Sequence, residues 1–180
     1  MNELAIGSMS AVSILAGFIG LVILVSGLRL VRDDEVGILT RKMAAATLPQ
    51  GHIIARNQEV GIHSTVLRPG LYWRSPFLWK VESVPVTKIG ADQVGVVESI
   101  DGEALPQGRL LGDSVDCDSF QDGKAFLEAG GRKGPQIEIL RPGVYRINTK
   151  LFNIKKFEAT SIEAGSLGVA VALDGKTLPT

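Results

Sequence analysis

Leu67-Arg68-Pro69-Gly70-Leu71-Tyr72 returns as Leu140-Arg141-Pro142-Gly143-Val144-Tyr145, and this recurrence decides the fold. Working outward, Val36-Gly37-Ile38-Leu39 returns as Val94-Gly95-Val96-Val97, and Leu48-Pro49-Gln50-Gly51 as Leu105-Pro106-Gln107-Gly108. A third copy opens at Leu167-Gly168-Val169-Ala170 and runs through Leu178-Pro179, so the repeat is expected to continue past Thr180. Internal repetition of this kind points to stacked modules rather than to one catalytic pocket.

Between the landmarks the chain reads as strands. Glu35–Thr40, Val81–Ile89, Gln93–Ser99, Gln136–Leu140, Phe152–Phe157 and Leu167–Leu173 are short, rich in Val and Ile, and in part alternating. The turn-defining pairs Pro69-Gly70 and Pro142-Gly143 predict type II turns, with proline presetting the first position and glycine accepting the positive φ of the second. Pro85 lacks a donor, which predicts an edge or a bulge there. One helix is predicted within an insertion at about 113–131, found only in the second copy. Ser119 is its expected cap, with Asp122 three residues on, and Gly130-Gly131 its end.

No charged residue occurs from Leu4 to Leu28. About 20 apolar residues suffice to span a bilayer, so a transmembrane anchor is predicted over 1–30. A cleaved signal peptide fits less well, since Met1-Asn2-Glu3 carries no Lys or Arg. Ser13/Gly17 and Ala16/Gly20 form small-xxx-small pairs suited to anchor packing. Arg29, Arg32, Arg41 and Lys42 follow the run, which predicts an inner-membrane, single-pass protein with its remaining part in the cytoplasm. The expected organisation is therefore an anchor (1–30), a membrane-proximal β-rich module (31–90), a second β-rich module with the helical insertion (91–161) and the start of a third (162–180). The fold class is a transmembrane helix followed by a mostly β, α+β region of tandem modules.

Composition narrows the function. Lys+Arg and Asp+Glu balance at 19 each, which leaves no electrostatic footprint for nucleic acid. One cysteine, Cys117, excludes an internal disulfide framework. The acidic run Asp113, Asp116, Asp118, Asp122 does not fit a calcium loop, because Phe120 and Gln121 occupy its fifth and sixth positions. His52 and His63 lack a second pair of ligands, and there is no phosphate-binding glycine loop or nucleophile elbow. No catalytic, metal or cofactor residue is assigned, and the chain is expected not to be an enzyme.

Tyr72-Trp73-Arg74-Ser75-Pro76-Phe77-Leu78-Trp79-Lys80 holds both tryptophans. Clustered aromatics between cations suit the headgroup layer, so Tyr72, Trp73, Phe77, Leu78 and Trp79 are the expected membrane-contact residues. The second copy keeps a polar version, Tyr145-Arg146-Ile147-Asn148.

An apolar N-terminal run, a Val-Gly strand, and Arg68-Pro69-Gly70-Leu71-Tyr72-Trp73-Arg74-Ser75-Pro76-Phe77 followed by Val81-Glu82-Ser83-Val84-Pro85-Val86 resemble the entry to an SPFH (band 7) domain, the group of stomatin, prohibitin and flotillin. Asp118-Ser119-Phe120-Gln121-Asp122-Gly123 with Phe126-Leu127-Glu128-Ala129-Gly130-Gly131 is similar to a bacterial flotillin-like subgroup. The resemblance implies a non-enzymatic scaffold that oligomerises into a ring or cage and organises a membrane microdomain. Its implied partners are itself, membrane lipids, and a membrane protease or other membrane protein. The alternative is a membrane-anchored β-domain adaptor of a transport, secretion or protease complex.

Overall fold

The computed structural model describes the backbone of residues 2–169 and the side chains of residues 14–169. A helix, α1 (Asn2–Ser26), leads into β1 (Leu28–Val31) and β2 (Glu35–Arg41). Then come β3 (Ile54–Ala55), β4 (Gly61–Leu67), β5 (Gly70–Trp73) and β6 (Trp79–Pro85). The second half runs β7 (Thr87–Ile89), β8 (Gln93–Ser99), α2 (Gly123–Glu128), β9 (Gly134–Leu140), β10 (Gly143–Tyr145) and β11 (Phe152–Glu158).

These strands form one arrangement built twice. The first module has a sheet ordered β3-β4-β2-β6 and a ribbon β1-β5; the second has β11-β8-β9 and β10-β7. The irregularities repeat as well. β2 and β4 pair Ile38 with Val66 and then Thr40 with Ile62, while β8 and β9 pair Val96 with Ile139 and then Glu98 with Pro135. The same extra residues therefore bulge from both strands. Lone bridges Ala46–Glu59 and Glu103–Arg132 repeat in the loops.

The repeated residues explain the repeated geometry. Tyr72 Oη donates to the Arg68 carbonyl at 3.0 Å, and Tyr145 Oη to the Arg141 carbonyl at 2.9 Å. Each tyrosine thus ties off the corner made by its own Arg-Pro-Gly. A Cβ on Gly37 would stand 3.0 Å from Leu67 Cβ and 3.1 Å from Val31. On Gly95 it would stand 3.0 Å from Ile89 and 3.1 Å from Leu140 Cβ. Glycine in the Val-Gly strand therefore lets ribbon and sheet close on each other.

Several expectations are corrected. Among the described residues no helix is long and apolar enough to cross a membrane. The transmembrane anchor over 1–30 and the single-pass inner-membrane placement are overturned on that ground. Ser13 lies outside the described side chains; Ala16 is exposed, and Gly17 and Gly20 have nothing within reach of an added Cβ.

The Pro-Gly corners are not type II turns. Gly70 has φ +153°, far from the +80° of that turn, and Gly143 is not among the glycines of positive φ. The single strand expected over Val81–Ile89 breaks at Val86, whose N–H bonds Asp34 O, so that the chain leaves the first sheet to begin the second ribbon. Pro85 does lie on an edge strand, β6. Residues 167–169 form no strand, and 170–180 lie outside the described residues.

The helix is shorter than expected and has a different cap. Asp122, not Ser119, accepts the N–H groups of Lys124 and Ala125. Ser119 instead belongs to a left-handed run, Asp118, Ser119 and Phe120 at φ 53°, 53° and 64°. L-residues enter that region at a cost, here offset by burial of Phe120 against Phe126 and Phe152. Gly130 at φ +78° and the bond from Gly131 N to Phe126 O close the helix as a Schellman motif.

Candidate functional site: an apolar ribbon and the seam between modules

The ribbon β1-β5 aligns Leu28 with Trp73 and Leu30 with Leu71. Period-two alternation puts all four on one face. That face is open: Leu30 is 65% and Leu71 63% exposed, and Leu28 and Trp73 are each about half exposed. The opposite face carries Val31 and Tyr72, which pack with Leu39 and Leu67. Phe77 and Leu78 are exposed close by in sequence.

The expected contact residues therefore divide. Trp73, Phe77 and Leu78 present apolar surface, and Trp73 Nε1 is satisfied by the Leu24 carbonyl at 2.9 Å. Tyr72 and Trp79 pack against protein. The Trp79 ring lies 5.1 Å from His63, with the Arg41 guanidinium 5.4 Å and that of Arg74 6.0 Å from its centre, a cation–π arrangement. Leu28, Leu30 and Leu71 were missed in the sequence, because only pairing shows that they share a face with Trp73. In the second ribbon the registers place Lys88 where Leu30 stands and Val144 where Leu71 stands, and in sequence Arg146 follows Tyr145 as Trp73 follows Tyr72.

The seam between modules is made largely of main-chain contacts. Asn148 Nδ2 donates to His63 O at 2.8 Å and to Ser64 O at 3.3 Å. Asp101, buried in the second module, accepts from Ile53 N and Ile54 N at 2.7 Å each, from Gly102 N, and faces His52 Nδ1 at 2.9 Å. Burial alone would raise the Asp101 carboxyl; the N–H groups of Ile54 and Ile53, with His52 and Gly102, outweigh it and hold its pKa below the usual value. Ile54 itself joins the core of the second module with Val97, Phe120 and Phe126.

A cleft of about 250 Å³ opens at the seam, lined by Val66, Arg68, Pro69, Asp118, Gln121 and Arg146. Gln121 Oε1 accepts from Arg146 N at 2.9 Å.

The titratable groups weighed in the sequence form no common site. His52 belongs to the Asp101 clamp, and burial lowers the pKa of His63. Burial pushes the Cys117 thiol up to about 11, which leaves it without thiolate at neutral pH. No group of His, Cys, Asp and Glu among the described residues could hold a metal ion.

The chain matches no family model, no curated protein and no solved structure.

Proposed function

We propose that this chain is a non-enzymatic scaffold of the SPFH type, assembling with copies of itself into a ring or cage and gathering lipid or membrane-protein partners at one surface. The outer face of the first ribbon carries the reading. Cross-strand pairs Leu28–Trp73 and Leu30–Leu71 are exposed there with Phe77 and Leu78 near them, while the second ribbon has Lys88 and Val144 at the places of Leu30 and Leu71. An apolar face confined to one of two otherwise matching modules marks an interaction surface rather than a requirement of the repeat. A tryptophan among aliphatics, with Arg29, Arg68 and Arg74 in the same segments, suits the lipid headgroup layer.

Fluorescence of Trp73, isolated by Trp79→Phe, tests the contact with vesicles of anionic lipid carrying brominated acyl chains. Quenching is expected, together with rings or domes on the vesicles in electron micrographs. Unquenched Trp73 and dispersed single particles would overturn the reading.

A further inference from the structure

The second sheet ends on β11, and among the described residues no strand pairs with its outer side. β6 holds the same edge in the first sheet. Their registers align Pro85 of β6, opposite Glu35, with Glu158 of β11, opposite Gln93. The bonds Val86 N–Asp34 O and Ala159 N–Asp92 O set the phase of both strands. Inward and outward main-chain groups alternate in an antiparallel ladder. Pro85 and Glu158, one residue earlier, therefore turn their main chain outward, as do Lys156 and Ile154. Proline has no N–H, so Pro85 withholds a donor and guards the first edge. Glu158 offers that donor, and the second edge stands open.

The outer face of the sheet beside this edge also carries exposed apolar side chains, set around the Lys155–Glu98 ion pair. Phe157 is 52% exposed, Ile137 51% and Ile139 48%. Phe157 stands opposite Val94, and Ile139 opposite Val96.

We infer that β11 pairs antiparallel with β11 of a second copy about a two-fold axis, Phe157 facing its own counterpart and Lys156 facing Glu158. The inference rests on the scaffold reading above and names a surface through which copies meet in pairs, a second surface being needed to join pairs into a ring. Outward main-chain groups must meet outward groups, which restricts the choice of register. Centring on Lys156 sets two ammonium groups face to face. Centring on Phe157 sets Lys156 against Glu158 on both sides of the axis. It also brings the two rings together as a close non-hydrogen-bonded pair. The contact is isologous and closes on itself. It joins the two three-stranded sheets and continues the apolar face of Ile137, Ile139 and Phe157 from one copy to the next.

The test uses the full chain in mild detergent, which shields the exposed aliphatic side chains of α1. Sedimentation velocity reads the oligomer, and Phe157→Cys reads the register. Cysteines at such a pair have Cα atoms about 4.5 Å apart, within disulfide range, and the native Cys117 is buried. Mild oxidation is expected to cross-link Phe157→Cys into a dimer. Lys156→Glu is expected to weaken dimerisation about tenfold or more, and Lys156→Glu with Glu158→Lys to restore it. Glu158→Pro, which copies the first module, is expected to weaken dimerisation while circular dichroism stays unchanged. A monomer at every concentration would overturn both this pairing and the scaffold reading. An oligomer indifferent to Lys156→Glu and Glu158→Pro would overturn the pairing and leave the scaffold resting on another surface.

Discussion

Asp101 joins the two modules through a carboxylate that faces three N–H groups and an imidazole while fully buried. Asp101→Ala leaves the buried Ile54 donor and the part-buried Ile53 donor unpaired, at an expected cost of about 1–3 kcal/mol read by urea unfolding. The folded-state pKa of Asp101 lies below its unfolded value, so its contribution is present above about pH 4 and is lost as pH falls through the folded pKa. Stability measured down to pH 2.5 is expected to fall on that acid limb, and Asp101→Asn to flatten it. At the same scale, Gly95→Ala puts a Cβ about as close to Leu140 Cβ, 3.1 Å, as Gly37→Ala does to Leu67 Cβ, 3.0 Å. Each is expected to cost about 1–3 kcal/mol by overpacking, with Tm as the readout. The Val-Gly recurrence flagged both positions in the sequence. Nothing local marks Asp101 for this role, because its main partners lie some fifty residues earlier in the chain.

Among the elements, α2 depends most on its ends. A helix this short is marginal by itself, and Asp122 at its N-cap with Gly130 and Gly131 beyond it supply partners for the terminal main-chain groups. Asp122→Ala is expected to cost about 0.5–2 kcal/mol, with faster amide exchange across 124–129 as its local signature. Ser119 was the natural cap to read from sequence, since serine outranks most residues there. Burial of Phe120 and Phe126 decided otherwise, twisting Asp118–Phe120 into the left-handed region and moving the helix start to Asp122. The Pro-Gly corners teach a similar lesson. Their composition marks where the chain bends, but the tyrosine hydroxyl reaching back to the arginine carbonyl sets how, and a bond between side chain and main chain is invisible to a turn rule.

For the whole molecule, the modules share structure rather than only a linker. Ile54 of the first lies in the core of the second, and Asn148 of the second holds two carbonyls of β4. Unfolding is accordingly expected to be one cooperative transition in calorimetry. Asn148→Ala should cost about 1–3 kcal/mol for the carbonyls left behind and lower the midpoint without splitting the transition. Two separated transitions would contradict this shared core.

The sequence by itself located the landmarks that recur, Val-Gly, Pro-Gln-Gly and Arg-Pro-Gly, and put Pro85 at an edge or a bulge, because each of these is written in local residue chemistry; pairing then placed Leu28–Val31 in the first ribbon and Thr87–Ile89 in the second. The sequence also marked Trp73, Phe77 and Leu78. Only the tertiary structure decided that Leu28, Leu30 and Leu71 share a face with Trp73 while Tyr72 and Trp79 turn inward, because strand pairing and register assign faces across the chain. An apolar run likewise records hydrophobicity without recording what a helix contacts, and the anchor expected over 1–30 is overturned because no helix among the described residues is long and apolar enough to cross a membrane. Two edges built to one plan differ because Pro85 removes a donor from the first and Glu158 leaves it on the second, and alternation of the folded ladder turns that difference toward solvent.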